Sequence, residues 1–262
     1  MLKLLKYDLK YMIKNMSVFY ILALFFSITT RILFSLNETV IIKIITQISV
    51  GCMFAMIANI LINTMMRSWI RFRDSIYRDE AYLTHTLPVT KNDIYNSKFI
   101  QTLVFFIVSF IIILLSLFIA YYTKDRWIEL KNLINTITTG LNFNSLVFVI
   151  SFILIIFLEV FNAIQSGFLG IILGYKKNNG KIGFSVLFGF IAYLLSQSIV
   201  LLLIFIVGIF DKSIMNLFTT NIVLNTSTFK LLMILVIIIY LIIILLMSMI
   251  CKKEFNKGVN IE

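Results

Sequence analysis

Six long apolar runs dominate this sequence, and each is long enough to cross a lipid bilayer as a helix. A spanning helix needs about 20 mostly apolar residues. The runs lie at about 17–36, 44–66, 99–122, 145–175, 184–210 and 229–251. Hydrophobic residues make up 60% of the chain and charged residues only 13%, too little polar surface for a water-soluble enzyme or a disordered chain. The sequence therefore predicts an all-α membrane protein with six transmembrane helices.

The distribution of basic residues predicts the orientation of these helices. Sixteen of the 23 Lys and Arg residues fall on the side that holds both termini, and seven fall on the other. Positive charges gather on the cytoplasmic side of a membrane, so we expect both termini in the cytoplasm. The net charge of +11 is then explained by basic residues on the cytoplasmic side of the lipid bilayer. We therefore expect no nucleic-acid partner. Lysine outnumbers arginine 17 to 6, which suggests an AT-rich genome and a bacterial plasma membrane.

The N-terminal residues 1–15 form a separate predicted element. Lysines recur there at spacings of three and four residues, opposite a face of Leu, Met and Ile. This pattern predicts an amphipathic helix in the cytoplasmic interface, acting either as an elbow into the first span or as a plain basic anchor. We expect residues 16–262 to form a single six-helix domain. Of the outer loops, 123–144 predicts a helix on the outer leaflet, and 211–228 could hold a short re-entrant or surface helix.

The chain carries little of the chemistry that catalysis needs. Its one histidine, His85, and its two cysteines, Cys52 and Cys251, provide no pattern for a metal site, a disulfide framework or a hydrolase. The segment from Gly174 to Lys181 has five residues between its glycines and Ile after the lysine, so it departs from a phosphate-binding loop. We expect no enzyme activity and no cofactor in this chain by itself, so any ATP must be bound by another subunit.

A polar stripe runs along the fourth apolar run. Glu159 lies near its middle, where a charge costs about 2.5–3.5 kcal/mol on insertion scales. Small or polar residues then recur every four positions: Asn162, Ser166, Gly170 and Gly174. The stripe indicates either simple helix packing, since two glycines four apart allow close approach, or the border of a translocation path or subunit seam. Arg31, near the outer end of the first run, can extend to the interface.

The cytoplasmic loop 67–98 is the most informative segment. Three arginines share one helical face at its start, which predicts that the second helix extends into the cytosol. Pro88 disfavours helix at the preceding residue, and Thr90 with Asp93 matches a helix-start motif. The expected order is helix, short helix, proline turn and new helix. A merely basic connector is the alternative.

Residues 79–90 of this loop, DEAYLTHTLPVT, resemble a signature of bacterial type-2 ABC transporter permeases, the membrane subunits of ATP-driven exporters. The family pattern is D-E-G-Y-L-T-x-T-L-P-V-[ST]. Ala81 stands where glycine is common, a departure that bears on the geometry of the turn. The chain length, the elbow, the six spans and the missing ATP site fit the same resemblance.

The resemblance implies a mechanism and partners. The chain would pair with a second copy of itself or a related permease and bind cytoplasmic ABC ATPase subunits, which would hold ATP and Mg. The loop would dock into the ATPase as a coupling helix, with Leu83 and Leu87 as its apolar face and Glu80 and His85 as polar contacts. The expected coupling residues are Glu80, Tyr82, Leu83, His85, Leu87 and Pro88.

The resemblance also implies a class of cargo. Amphipathic or antimicrobial peptides are the first expectation, exported for toxin secretion or self-immunity, and drugs or lipids are the alternative. An ion-driven secondary transporter is a competing class, although such proteins usually have broken spans and several intramembrane charges. A membrane scaffold that transports nothing is the third possibility.

Overall fold

Helices account for all the regular structure in the residues that the computed structural model describes, which are 2–36, 39–78, 80–86, 88–140, 144–210, 212–215 and 226–258. The helices are α1 (Leu2–Phe34), α2 (Val40–Tyr77), α3 (Ala81–Thr86), α4 (Lys91–Tyr121), α5 (Lys124–Gly140), α6 (Ser145–Gly174), α7 (Lys181–Phe210), α8 (Lys212–Met215) and α9 (Thr226–Asn256).

Six of these helices are long and apolar enough to cross a membrane: α1, α2, α4, α6, α7 and α9. The predicted number of spans is thus confirmed, and the chain is a multi-pass membrane protein in its architecture. Many large apolar side chains on these helices are exposed, far more than a soluble monomer tolerates and as expected of a bundle surrounded by lipid. The helices extend beyond the apolar runs. α2, for example, continues to Tyr77 although its apolar run ends at residue 66.

The predicted N-terminal element is continuous with the first span. One helix runs from Leu2 to Phe34 without a break at residue 15. Its buried face recurs every three or four residues and includes Asp8, Met12, Met16, Tyr20 and Ala23. The buried residues therefore follow the same three- to four-residue spacing in the first turns of α1 and in its later turns. The placement of the first part in a membrane interface stays a prediction.

The chain divides into two compact units, where the sequence predicted a single domain for 16–262. Unit 1 comprises Met1–Ser75 and Leu83–Glu129, and unit 2 comprises Ile76–Tyr82 and Leu130–Glu262. Each contains three of the long helices. The boundary falls twice inside the loop 67–98, so the short segment 76–82 belongs to unit 2 while both flanking stretches belong to unit 1.

Hydroxyl groups join the three long helices of unit 1 inside an otherwise apolar core. The Ser109 hydroxyl of α4 lies 2.7 Å from the Tyr20 hydroxyl of α1 and accepts a hydrogen bond of 2.9 Å from Thr64 of α2. Nearer the other end, the hydroxyls of Thr30 and Ser49 lie 2.8 Å apart. Side-chain hydrogen bonds of this kind hold helices together where lipid removes the hydrophobic driving force.

In unit 2, aromatic and glycine residues shape the end of the bundle that holds the loop. The buried rings of Tyr77 and Tyr175 have centroids 4.6 Å apart and are inclined by 31°. Tyr175 caps α6, and a short turn then leads to α7 through Gly180, whose φ of +64° favours glycine. Within unit 2, Tyr77 is thereby packed against the end of α6.

Candidate functional site

The loop 67–98 has the predicted order of elements. α2 ends at Tyr77, α3 occupies Ala81–Thr86, and α4 begins at Lys91. Thr90 caps α4: its hydroxyl accepts a hydrogen bond of 3.2 Å from the Asp93 amide and donates one of 2.8 Å to the Asp93 carboxylate. The proline break and the helix-start motif are therefore confirmed.

The short helix α3 has a buried side and an exposed side. Ala81 and Thr84, three residues apart, are buried, whereas Tyr82 is 75% exposed and Leu83 is 68% exposed. The Thr86 hydroxyl closes the helix by donating to the Leu83 carbonyl at 3.0 Å. We call Tyr82 and Leu83 the apolar pair of α3. An aromatic and an aliphatic side chain are thus displayed together on a helix that is otherwise polar or buried.

The other predicted coupling residues differ in their exposure to solvent. Glu80 and His85 are partly buried, and Pro88 is exposed. Leu87 lies outside the described residues, so the predicted face of Leu83 with Leu87 stays a prediction.

A buried ion cluster lies at the base of this loop, and the sequence analysis missed it. Asp8 accepts hydrogen bonds from Arg71 Nη2 at 2.6 Å and from Arg71 Nε at 2.9 Å, while its second oxygen accepts one from Lys98 Nζ at 2.5 Å. The side chains of Asp8 and Lys98 are 2% exposed and that of Arg71 is 12% exposed. The Arg71 guanidinium also lies over the Tyr11 ring at 4.7 Å. We call Asp8, Arg71 and Lys98 the Asp8 cluster.

The Asp8 cluster connects three helices of unit 1. Asp8 is on α1, and its partners are on the two helices that enter and leave the loop, α2 and α4. Removing one partner of a buried ion pair leaves an uncompensated charge and is strongly destabilising. Movement of the loop helices should therefore carry the N-terminal turns of α1 with it. One signal could have suggested such a role: Asp8 is the only acidic residue before Glu38.

A second polar group of residues lies at the middle of the long helices of unit 2. The Tyr193 hydroxyl of α7 donates to the Glu159 carboxylate of α6 at 3.5 Å. One turn further along α7, Gln197 accepts a hydrogen bond of 3.1 Å from the Tyr240 hydroxyl of α9. We call Glu159, Tyr193, Gln197 and Tyr240 the midspan polar cluster.

The rest of the predicted stripe packs α6 against α7 of the same chain. The Asn162 side-chain amide donates to Ser196 at 2.8 Å, and the Ser166 hydroxyl donates to the Asn162 carbonyl at 2.9 Å. A Cβ atom at Gly170 would overlap the Gly189 backbone, and one at Gly174 would overlap the Ser185 backbone. For the two glycines the structure supports the packing interpretation.

Arg31 has a partner away from the predicted stripe. Its guanidinium donates to the Ile119 carbonyl of α4 at 3.3 Å, inside unit 1.

Comparison with protein-family models, with curated proteins and with solved structures gives no match. The structure thus shows a helical, multi-pass membrane architecture. A function has to be argued from the apolar pair of α3, the Asp8 cluster and the midspan polar cluster.

Proposed function

We propose that this chain is the permease subunit of a bacterial ATP-driven exporter of the type-2 ABC class. The observation that carries the proposal is α3, a short helix held between two long ones, which exposes Tyr82 and Leu83 while burying Ala81 and Thr84. Proteins often bind an apolar helix face in a groove. The cytoplasmic partner that fits this surface is an ATPase subunit, which would bind ATP and Mg.

The chemistry of the apolar pair suits a protein partner better than lipid. The neighbouring loop residues are rich in charge, with Arg78, Glu80 and Lys91 within ten residues of Leu83. Aromatic side chains are enriched among the residues that dominate binding energy at protein interfaces. The resemblance of residues 79–90 to the loop of type-2 permeases supports the same assignment, with the second permease of the pair being either a second copy or a related chain.

The packing around the loop supports a mechanical role. Residues 83–98 pack in unit 1, whereas 76–82 pack in unit 2, where Tyr77 lies against Tyr175. In unit 1, the Asp8 cluster connects both loop helices to α1. A force applied to α3 by an ATPase would therefore reach the helices of each unit through buried contacts.

The long helices favour this class over an ion-driven transporter. Secondary transporters typically bind their substrates at discontinuous helices near the middle of the bilayer. Here α2, α4, α6 and α7 run unbroken over their full described lengths. The cargo that we propose is an amphipathic or antimicrobial peptide, moved out of the cytoplasm or the membrane. A drug or a lipid is the alternative, since the same midspan polar cluster could serve an amphiphile of either kind.

A pair of matched variants tests the proposal. Leu83→Asp places a charge on the exposed face of α3, and Leu133→Asp places one on an exposed leucine of α5 with nearly equal exposure, 66%. Tagged chains are purified from the native host, and any ABC ATPase that co-purifies is identified and quantified by mass spectrometry. We expect Leu83→Asp to lose the ATPase and ATP-dependent export at unchanged expression, and Leu133→Asp to retain both.

Two results would contradict the proposal. Normal ATPase capture and export by the Leu83→Asp chain would remove α3 from the coupling. Cargo movement in proteoliposomes that hold the purified chain and an ion gradient, with no ATPase present, would favour the secondary transporter instead.

A further inference from the structure

The midspan polar cluster holds a carboxylate that forms no ion pair within the described part of the chain. Glu159 is near the middle of α6, and none of the ion pairs among the described residues includes it. α6 contains no Lys or Arg, and those of α7 and α9 lie in their end turns. An ionised carboxylate at this depth requires compensation. Where the described residues supply no cation, a proton or a bound cation can provide the compensating charge.

The groups around Glu159 suit an organic cation. The Tyr193 hydroxyl donates to Glu159 at 3.5 Å, which orients the carboxylate without neutralising it and brings an aromatic residue next to it. Tyr240 belongs to the same group of residues through its hydrogen bond of 3.1 Å to Gln197. Aromatic rings attract ammonium and guanidinium groups, so a carboxylate with tyrosines nearby suits an alkylammonium ligand.

An unpaired polar atom on the same helix points to a missing donor. Asn162, one turn from Glu159, is fully buried, and its side-chain oxygen lacks a hydrogen-bond partner among the described residues. A buried acceptor without a partner is destabilising. An alkylammonium carries up to three donors, the kind of partner that this oxygen lacks.

The site is also accessible. Glu159, Tyr193 and Gln197 are only partly buried in unit 2, so a ligand dissolved in the bilayer can reach the carboxylate from the side of the helices. Apolar residues surround it along α6, including Ile156 and Phe152, which are exposed. A ligand with an apolar body and a single charged group would match both features.

We propose that the midspan polar cluster binds the ammonium group of a cationic amphiphile, with Glu159 as its counter-ion. The inference rests on the proposed export function in one respect: the amine belongs to the cargo. It names the feature that the cargo must carry, which is a primary amine such as a lysine side chain or a peptide N-terminus. Asn162 supplies a second acceptor, and Tyr193 supplies a ring face.

Equilibrium binding to the purified full chain tests this inference without any ATPase. The chain is placed in phosphatidylcholine nanodiscs and titrated with a dansyl-labelled alkylamine or with its N-acetylated form, which has the same body and no charge. Hydrogen bonds to charged groups contribute about 1.5–3 kcal/mol, so we expect the amine to bind at least about tenfold more tightly than the acetylated probe. Glu159→Gln should abolish this difference.

Matched variants separate recognition from folding. Glu129→Gln makes the same change at an exposed glutamate of α5 and should keep the preference for the amine. Tyr193→Phe keeps the ring and should keep most of the preference, whereas Tyr193→Leu should reduce it. Circular dichroism and the melting temperature of each variant show whether the helices are intact.

Three outcomes would overturn the inference. Equal binding of the two probes is one, and an undiminished preference in a folded Glu159→Gln chain is another. The third is an infrared band of a protonated Glu159 carboxyl in the amine-bound chain, which would make a proton the occupant. Amine binding with no ATPase capture would contradict the proposed export function and leave the ammonium site standing. ATPase-driven export without an amine preference would contradict the ammonium site and leave the proposed export function standing.

Discussion

Replacing the buried Asp8 by Asn should strongly destabilise unit 1. Asp8 is 2% exposed and its two oxygens accept hydrogen bonds from Arg71 and Lys98. The amide of Asn has no charge to offset these cations, and only one of its two terminal atoms is an acceptor. Breaking a buried ion pair in this way costs about 3–5 kcal/mol.

Asp74→Asn is the matched control. Asp74 also pairs with an arginine of α2, Arg73 at 2.7 Å, but the two side chains are 26% and 24% exposed. A solvent-exposed pair contributes about 0–1 kcal/mol, and this partly exposed pair should lie much nearer to that range than the buried Asp8 cluster does. The same substitution at the two aspartates should thus differ by several kcal/mol in the free energy of unfolding.

Trp69 provides the assay, since it lies on α2 two residues before Arg71. A Trp127→Phe background leaves it as the single tryptophan, and its fluorescence follows denaturation of the detergent-solubilised chain. A loss below about 1 kcal/mol for Asp8→Asn would refute the reasoning. Lys98→Met removes one of the two cations that Asp8→Asn leaves without a counter-charge. The double variant should therefore recover part of the lost free energy of unfolding, so the effects of the two single changes should not add.

Two further predictions concern helix packing and capping. Gly174→Ala should destabilise the chain by about 1–3 kcal/mol, because the added methyl group overlaps the Ser185 backbone; Gly51→Ala, where no described atom lies within 4 Å of the new Cβ, should be neutral or stabilising in the same thermal unfolding assay. Thr90→Ala should cost about 1 kcal/mol by removing the cap of α4. Thr90→Ser keeps the hydroxyl and should unfold like the wild type, and equal effects of Ala and Ser would contradict the capping role.

Features set by local chemistry were predictable from the sequence. Hydropathy alone identifies the six spans because each apolar run is long enough to cross a bilayer. The break at Pro88 and the start of α4 follow from the geometry of proline and from the Thr90 cap. The extension of α2 to Tyr77, beyond the apolar run, was also predicted, because three arginines there share one helical face.

Features that depend on distant parts of the chain were missed. Asp8 meets partners 63 and 90 residues away, and nothing in the spacing of the sequence indicates that these residues pair with Asp8. The polar character of Glu159 was evident, but the arrival of Tyr193 from α7 and of Tyr240 from α9 depends on how the helices pack. The glycines of α6 were partly predictable. Their four-residue spacing indicated close approach to another helix, but the residues that they contact, Ser185 and Gly189, are evident only from the structure.

The glycine contacts have a consequence for motion within unit 2. Because the backbones of α6 and α7 approach closely at Gly170 and Gly174, we expect these two helices to move together as one hairpin. Any rearrangement among the three long helices of unit 2 then has to shift α9 relative to that hairpin. Tyr240 travels with α9, while its acceptor Gln197 stays behind, so breakage of this one hydrogen bond would report the shift.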